Sequence, residues 1–294
     1  MALRRSQQEG LVTSIQETNH IVETRRPTVK APMSELSIWK TSLFHRGAWL
    51  RIALVLAGST LPVVGIASAP DTSTNQPLLV ELFTSEGCSS CPPADALLAQ
   101  TARQRRDVIV LSEHVTYWNN LGWADPFSSA KSTERQSDYV QHFGTEGPYT
   151  PQMVVEGRRQ FVGSDSSALH AALSSEAGTP RVSIALTLSE DKQDRTMHVS
   201  AKLGESPFGG RLIAVLVQKE GHQQVARGEN GGRSLNHVSI ARDFHDMGDM
   251  KPEQAFAGET TFALPGGSGS ADYRVVVFLQ QGAGGPILAA AATQ

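Results

Sequence analysis

Cys88 and Cys91 are the two cysteines of the chain, set in Ser85-Glu86-Gly87-Cys88-Ser89-Ser90-Cys91-Pro92-Pro93. A Cys-x-x-Cys that follows an apolar strand and opens a helix is suited to thiol–disulfide exchange. The thiolate is the nucleophile, and a helix N-terminus favours it through unpaired N–H groups and the macrodipole. Cys88 reads as the exposed nucleophile at the turn. Cys91 reads as the resolving cysteine, one helical turn further in, which attacks the mixed disulfide. A purely structural disulfide across so short a loop would add little stability. Two thiolates also suit Cu(I), with His114 as a third ligand, so a Cu(I) carrier or metallochaperone is the alternative. Two cysteines exclude a multi-disulfide scaffold and a four-cysteine zinc or iron–sulfur site in one chain.

The pair needs elements to hold it, and their pattern is visible nearby. Residues 78–83 are a short apolar run, read as a buried strand. Pro92 and Pro93 suit a first helical turn. Ala94, Leu97, Leu98, Thr101 and Ala102 then recur at helical spacing to about Arg106. Residues 108–111 read as a second strand, followed by a long aromatic loop to Phe127. Residues 130–143 read as a helix stopped by Gly144. Residues 152–156 and 160–162 read as a hairpin, and Ser164-Asp165 as the cap of a last helix. Residues 78–176 therefore read β-α-β-α-β-β-α. From Pro180 the texture changes to alternating strands such as 182–188, separated by Gly/Asp/Pro-rich turns. Residues 180–290 read as a β-rich, sandwich-like second domain.

The chain has 294 residues, 39% hydrophobic and 19% charged, which fits loop-rich globular domains and argues against wholesale disorder. A net charge of −3 argues against a nucleic-acid partner. The first 51 residues carry eight Lys or Arg, and residues 52–70 carry no charge and end in Ala67-Ser68-Ala69-Pro70. Basic residues, an apolar run and Ala-x-Ala read as a secretory signal with a long N-terminal extension over 1–69, or from Met33 if that is the start. Residues 70–77 are then a polar lead-in. The expected location is periplasmic or secreted, with membrane contact only through an uncleaved leader. Export places the cysteines where a disulfide persists.

The element order of 78–176 resembles the thioredoxin core. That resemblance implies a cis-proline beside the redox pair, at Thr150-Pro151, with Thr150 available to substrate backbone. It also implies a buried carboxylate in the strand before the motif. Glu81 stands near that place, with a solvent-facing strand residue as the other reading. Tyr117, Trp118 and Trp123 either line a substrate cleft or pack a small core under their loop. Glu86 reads as a loop charge. Arg233 and His237 either reach the redox face or sit on the surface of a hairpin.

A closer resemblance lies in the string from Glu81 to Asp95, together with Tyr117-Trp118, Leu121-Gly122-Trp123, Asp125-Pro126-Phe127, Arg135-Gln136, Tyr149 to Val154, and the Asn230, Gly232-Arg233, Leu235, His237 block. It is similar to a family of secreted bacterial proteins catalogued as a domain of unknown function with a thioredoxin-like fold. It departs at Thr116, where the family pattern is expected to have Asp. The expectation is an exported thioredoxin-like thiol–disulfide oxidoreductase, acting on protein or small-molecule thiols and disulfides without a cofactor beyond its own Cys88–Cys91 pair. A non-catalytic binding module on the same scaffold is a further alternative.

Overall fold

The computed structural model describes residues 72–73 and 76–294, apart from Ser268. The leader expected over 1–69 and its cleavage after Ala69 lie outside the described residues. Among the described residues no helix is long and apolar enough to cross a membrane.

In chain order the elements are β1 (Thr72–Ser73), β2 (Leu78–Thr84), α1 (Pro92–Gln104), β3 (Val108–His114), α2 (Ala130–Phe143), β4 (Gln152–Val155), β5 (Arg159–Val162) and α3 (Ser166–Glu176). There follow β6 (Arg181–Val182), β7 (Ile184–Asp191), β8 (Thr196–Leu203), β9 (Gly210–Gln224), β10 (Ser234–Met250), β11 (Phe256–Ala263), β12 (Tyr273–Gln280) and β13 (Ile287–Ala292). The helices start and stop where their caps stand. Ser129 accepts the Ser132 N–H at 3.0 Å to open α2, and Gly144 ends it at φ 64°. Asp165 accepts the Ala168 N–H at 2.9 Å to open α3.

The fold is mixed α/β, built on an eight-stranded sheet in the order β13-β12-β9-β10-β3-β2-β4-β5. β2 and β3 are parallel and joined by α1; β4 and β5 add antiparallel on the far side of β2. β2 is buried on both faces, and strand alternation decides what each face meets. Val80 and Leu82 pack with Ala94 and Leu98 of α1 and Leu169 and Leu173 of α3. Leu79 and Phe83 point to the opposite face, into separate clusters.

Residues 180–290 do not stand apart from 78–176. β10 runs parallel to β3, with Ile240 opposite Ser112, so β9, β10, β12 and β13 extend the same sheet. An uncovered β3 edge would leave a row of backbone donors and acceptors unpaired, and β10 covers it. Register shifts in β10 between Ala241 and Asp243 and between Asp246 and Gly248 bend it. The layering expected for the β-rich segment occurs further out. The three-stranded sheet β11-β8-β7 lays Val199, Ala201 and Leu203 against Leu212, Ala214 and Leu216 of β9 and Val275, Val277 and Leu279 of β12. The ends of the large sheet also meet. The Ile287 N–H donates to the Glu156 carbonyl at 2.8 Å, and a Cβ on Gly157 (φ 59°) would lie 2.1 Å from the Gly285 carbonyl oxygen.

Candidate functional site

The Cys pair sits where β2 turns into α1. Cys91 is the N-cap of α1 with helical angles (φ −76°, ψ −38°), and Pro92 and Pro93 occupy the first helical turn. Neither proline has an N–H, so part of the donor array expected at a helix start is absent here. The Ser90 hydroxyl contributes instead, 3.3 Å from Cys88 Sγ. Cys88 and Cys91 form a disulfide, with Cα atoms 5.4 Å apart.

Cys88 is not the exposed residue that local reasoning expects: it is 1% exposed, and Cys91 is fully buried. The tip of the β9–β10 hairpin, residues 225–233, caps the motif loop through hydrogen bonds to its backbone. The buried Asn230 side-chain amide donates to the carbonyls of Glu86 and Cys88, each at 2.9 Å. Arg233 Nη1 donates to Asn230 Oδ1 at 2.7 Å and so fixes which way that amide faces. The Ser89 N–H donates to Glu229 Oε2 at 2.9 Å.

Beneath the cap lies a buried polar cluster. Glu86 is no loop charge. It is buried, accepts the Trp123 Nε1–H at 2.8 Å, and lies 3.2 Å from His237 Nε2. Asp125 accepts the Glu86 N–H at 2.8 Å and meets His114 Nδ1 at 2.7 Å. The His114 and His237 rings pack edge to face with centroids 4.6 Å apart. Asp95, on the buried face of α1, accepts the Thr84 hydroxyl at 2.9 Å and lies 3.9 Å from His237 Nδ1. Burial raises the Asp95 carboxyl above its ordinary range, against the pull of His237 and His114. Burial opposes charge on His114, but Asp125 outweighs it and holds the imidazole pKa above its usual value. Asp125 is correspondingly held low by His114 and by the Glu86 and Phe127 N–H groups, despite its burial.

Glu81 belongs to a different cluster. It is fully buried on the face of β2 that looks away from α1, where Arg135 Nε donates to Oε1 and the Tyr139 hydroxyl to Oε2, each at 2.5 Å. Burial pushes its carboxyl up, and Arg135 outweighs that and leaves it below the usual value. Glu113, beside it, is driven well above by burial and by Glu81 itself. The carboxylate on the helix side of β2 is thus Asp95, and Glu81 takes part in a structural ion pair. Strand periodicity explains the difference: Glu81 alternates with Val80, Leu82 and Thr84, which face α1.

The Thr150–Pro151 peptide is cis. Pro151 is near the start of α1, since a Cβ on Gly163 would lie 3.0 Å from the Pro151 Cβ and 3.1 Å from the Ala94 Cβ. Trp118 links this corner to the motif: its Nε1–H donates to Thr150 Oγ1 at 2.8 Å, and its Cβ would meet one placed on Gly87 at 3.2 Å. Tyr117 turns to Gln136 Oε1 at 3.2 Å and packs with Tyr139 and Phe143; burial pushes its hydroxyl up to about 12. Trp123 is tied to Glu86 and backs onto Gly228 of the cap. These aromatics therefore support the motif loop from behind. His114 is committed to Asp125, and among the described residues no group of three or more His, Cys, Asp or Glu side chains is arranged to hold a metal.

Sequence reasoning passed over Asp95, and a signal for it was present. It shares the buried face of α1 with Ala94, Leu98 and Thr101, so it is an acid within an apolar stripe. Asn230 carried no local signal, because its partners lie more than 140 residues away in sequence.

A family model described as "Protein of unknown function (DUF1223)" matches residues 79–280, from β2 to the end of β12. The chain belongs to this family. The DUF1223 match takes in the Cys pair, Thr150-Pro151, and the Asn230 and His237 region, so the site is built wholly from family sequence. A crystal structure of a protein from Agrobacterium tumefaciens is 28% identical, with 74% of this chain and 96% of that one covered and a TM-score of 0.56. HBP35 of Porphyromonas gingivalis is 18% identical, with 75% and 76% covered and a TM-score of 0.55, a likeness of fold alone. No curated protein matches the chain.

Proposed function

We propose that this DUF1223 protein is an exported thiol–disulfide oxidoreductase with a thioredoxin-like arrangement of β2, α1, β3, α2, β4, β5 and α3. The observation that carries the reading is the Cys88–Cys91 disulfide at the strand-to-helix junction, with a hydroxyl beside the first sulfur and a buried acid one turn beyond the second. In the reduced form, Cys88 attacks a substrate disulfide. Cys91 then attacks Cys88 of the mixed disulfide, re-forming the pair and releasing the reduced substrate. The reverse sequence oxidises a substrate dithiol by the same steps. Both cysteines are buried and residues 225–233 are hydrogen-bonded to the motif loop, so displacement of that tip is the route by which we expect substrate to reach the pair, under control of the β-rich half.

The test is trapping in the native host. Cys91→Ser should accumulate mixed disulfides through Cys88 that dissolve on thiol reduction and are absent in Cys88→Ser. Equilibration in glutathione buffers should give one defined two-electron potential. Partner binding that survives replacement of both cysteines, with no trapped adduct, would overturn the redox reading in favour of a binding module.

A further inference from the structure

Resting on the redox reading, we infer that Glu229, at the tip of the β9–β10 hairpin, restrains the Cys88 thiol: it takes the Ser89 N–H and sets a carboxylate on the peptide group that follows the nucleophile, so displacing the tip activates the sulfur. The Ser89 N–H donates to Glu229 Oε2 at 2.9 Å across 140 residues of sequence. The rest of the tip holds Glu229 in place. The Gly231 N–H closes a turn onto the Gly228 carbonyl at 3.0 Å around Glu229 and Asn230, and Asn230 ties that turn to the carbonyls of Glu86 and Cys88. At the base of the tip Val225 is fully buried and pairs with Gly232 and Arg233 at 2.8 and 3.0 Å.

A thiol at a strand-to-helix turn ionises more readily where unpaired N–H groups meet the sulfur, and this loop has few to offer. Pro92 and Pro93 have none. The N–H groups of Glu86, Gly87, Cys88 and Cys91 are taken by Asp125 Oδ2, Ser85 Oγ, the Ser85 carbonyl and the Cys88 carbonyl, at 2.8 to 3.2 Å. Glu229 takes that of Ser89, so a residue far outside the motif controls the donor next to Cys88. Its charge acts in the same direction, because a carboxylate near a forming thiolate disfavours it. The Ser89 hydroxyl and N–H hold the Glu229 carboxyl below its ordinary value, so it is ionised wherever a thiol titrates. The other ionisable groups around the loop are Glu86 within it, His237 of β10, Asp95 of α1, His114 of β3 with Asp125, and Arg233 of the tip. Each has a partner other than Glu229, so replacing Glu229 leaves them in place.

Ser89 and Glu229 are both exposed, so the restraint is open to salt and to competition. A substrate chain that offers a backbone carbonyl to the Ser89 N–H displaces Glu229 and removes its charge in one move. The step released is loss of the Cys88 S–H proton to water. The sulfur electron pair then attacks the nearer sulfur of the substrate disulfide, the Cys88–substrate bond forms, and the far sulfur leaves as thiolate with the electron pair of the broken bond. Cys88 is oxidised to the mixed disulfide and the departing sulfur is reduced.

The experiment measures alkylation of Cys88 in the reduced protein by iodoacetamide, an uncharged probe, with the Cys88 peptide read by mass spectrometry across a pH series. Glu229→Gln keeps the shape and an acceptor for Ser89 but not the charge. It should speed alkylation about twofold near neutral pH and move the pH midpoint down; the gain in thiolate is partly offset because nucleophilicity falls with basicity. Glu229→Ala, which also frees the Ser89 N–H, should speed it further. Raising ionic strength from about 0.01 M to about 1 M cuts the Debye length from about 30 Å to about 3 Å. That should bring the wild-type rate toward that of Glu229→Gln and leave the variant unchanged. An equal gain at every pH with an unmoved midpoint means that the tip only blocks access, and overturns the restraint. Wild-type rates in both variants, or a salt response that persists in Glu229→Gln, overturn it too, and all three leave the redox reading standing. Failure of Cys91→Ser to form a Cys88–glutathione mixed disulfide from glutathione disulfide overturns the redox reading, and the restraint with it.

Discussion

Asn230 holds the backbone carbonyl of Cys88 at 2.9 Å across 142 residues of sequence. The same amide nitrogen holds Glu86, so one side chain clamps the motif loop on both sides of Gly87. Few contacts would couple the β-rich half so directly to the cysteines.

Asn230→Ala should loosen the cap. The two carbonyls lose a buried donor, which costs about 1–3 kcal/mol of stability. Each 1.4 kcal/mol removed from the closed state raises the open population about tenfold. Reduction of the Cys88–Cys91 disulfide by dithiothreitol should therefore accelerate by about that factor in a stopped-flow assay. An unchanged rate in a folded variant would show that the tip does not gate the pair.

Arg135→Met tests the ion pair that holds Glu81. Removing one partner of a buried pair costs about 3–5 kcal/mol, because the other charge is left uncompensated. In the wild type the Glu81 carboxyl is held below its ordinary 4.5, so its contribution is present above that pH and is lost as pH falls through the folded value. In the variant, protonation relieves the orphaned carboxylate, and the urea midpoint should rise on going from neutral pH toward the carboxyl range. A variant with the wild-type midpoint and pH slope would contradict the assignment of Glu81 to structure.

Glu156 predicts a second pH dependence of opposite sign. Burial, against the pull of Arg181 at 3.0 Å, raises its carboxyl from 4.5 to about 7. The folded state then binds the proton more tightly than the unfolded chain. Stability is full below 4.5 and declines as pH rises toward 7, by up to about 3 kcal/mol at 1.36 kcal/mol per unit. Glu156→Gln should flatten that part of the stability–pH curve, measured by urea unfolding at intervals of pH. A slope that persists in Glu156→Gln would place its origin elsewhere.

By itself the sequence determined what depends on neighbours along the chain. The strand before Cys88, the prolines after Cys91, the cap at Asp165 and the stop at Gly144 all act within a few residues, so local pattern suffices to read them. The cis Thr150–Pro151 peptide followed from the placement implied by resemblance. Tertiary structure decided which carboxylate lies on the α1 side of β2 and which segment caps the motif loop. Alternation along β2 puts Glu81 and Thr84 on opposite faces, but α1 crosses over only one of them, and that side is chosen by packing of the whole β-α-β unit. The pairing of β10 with β3 brings His237 beside His114 and swings the tip bearing Asn230 over Cys88. Strand pairing between segments more than a hundred residues apart answers to the unpaired edge of β3 and to the apolar faces that the sheet buries, and neither is visible in a local window of sequence.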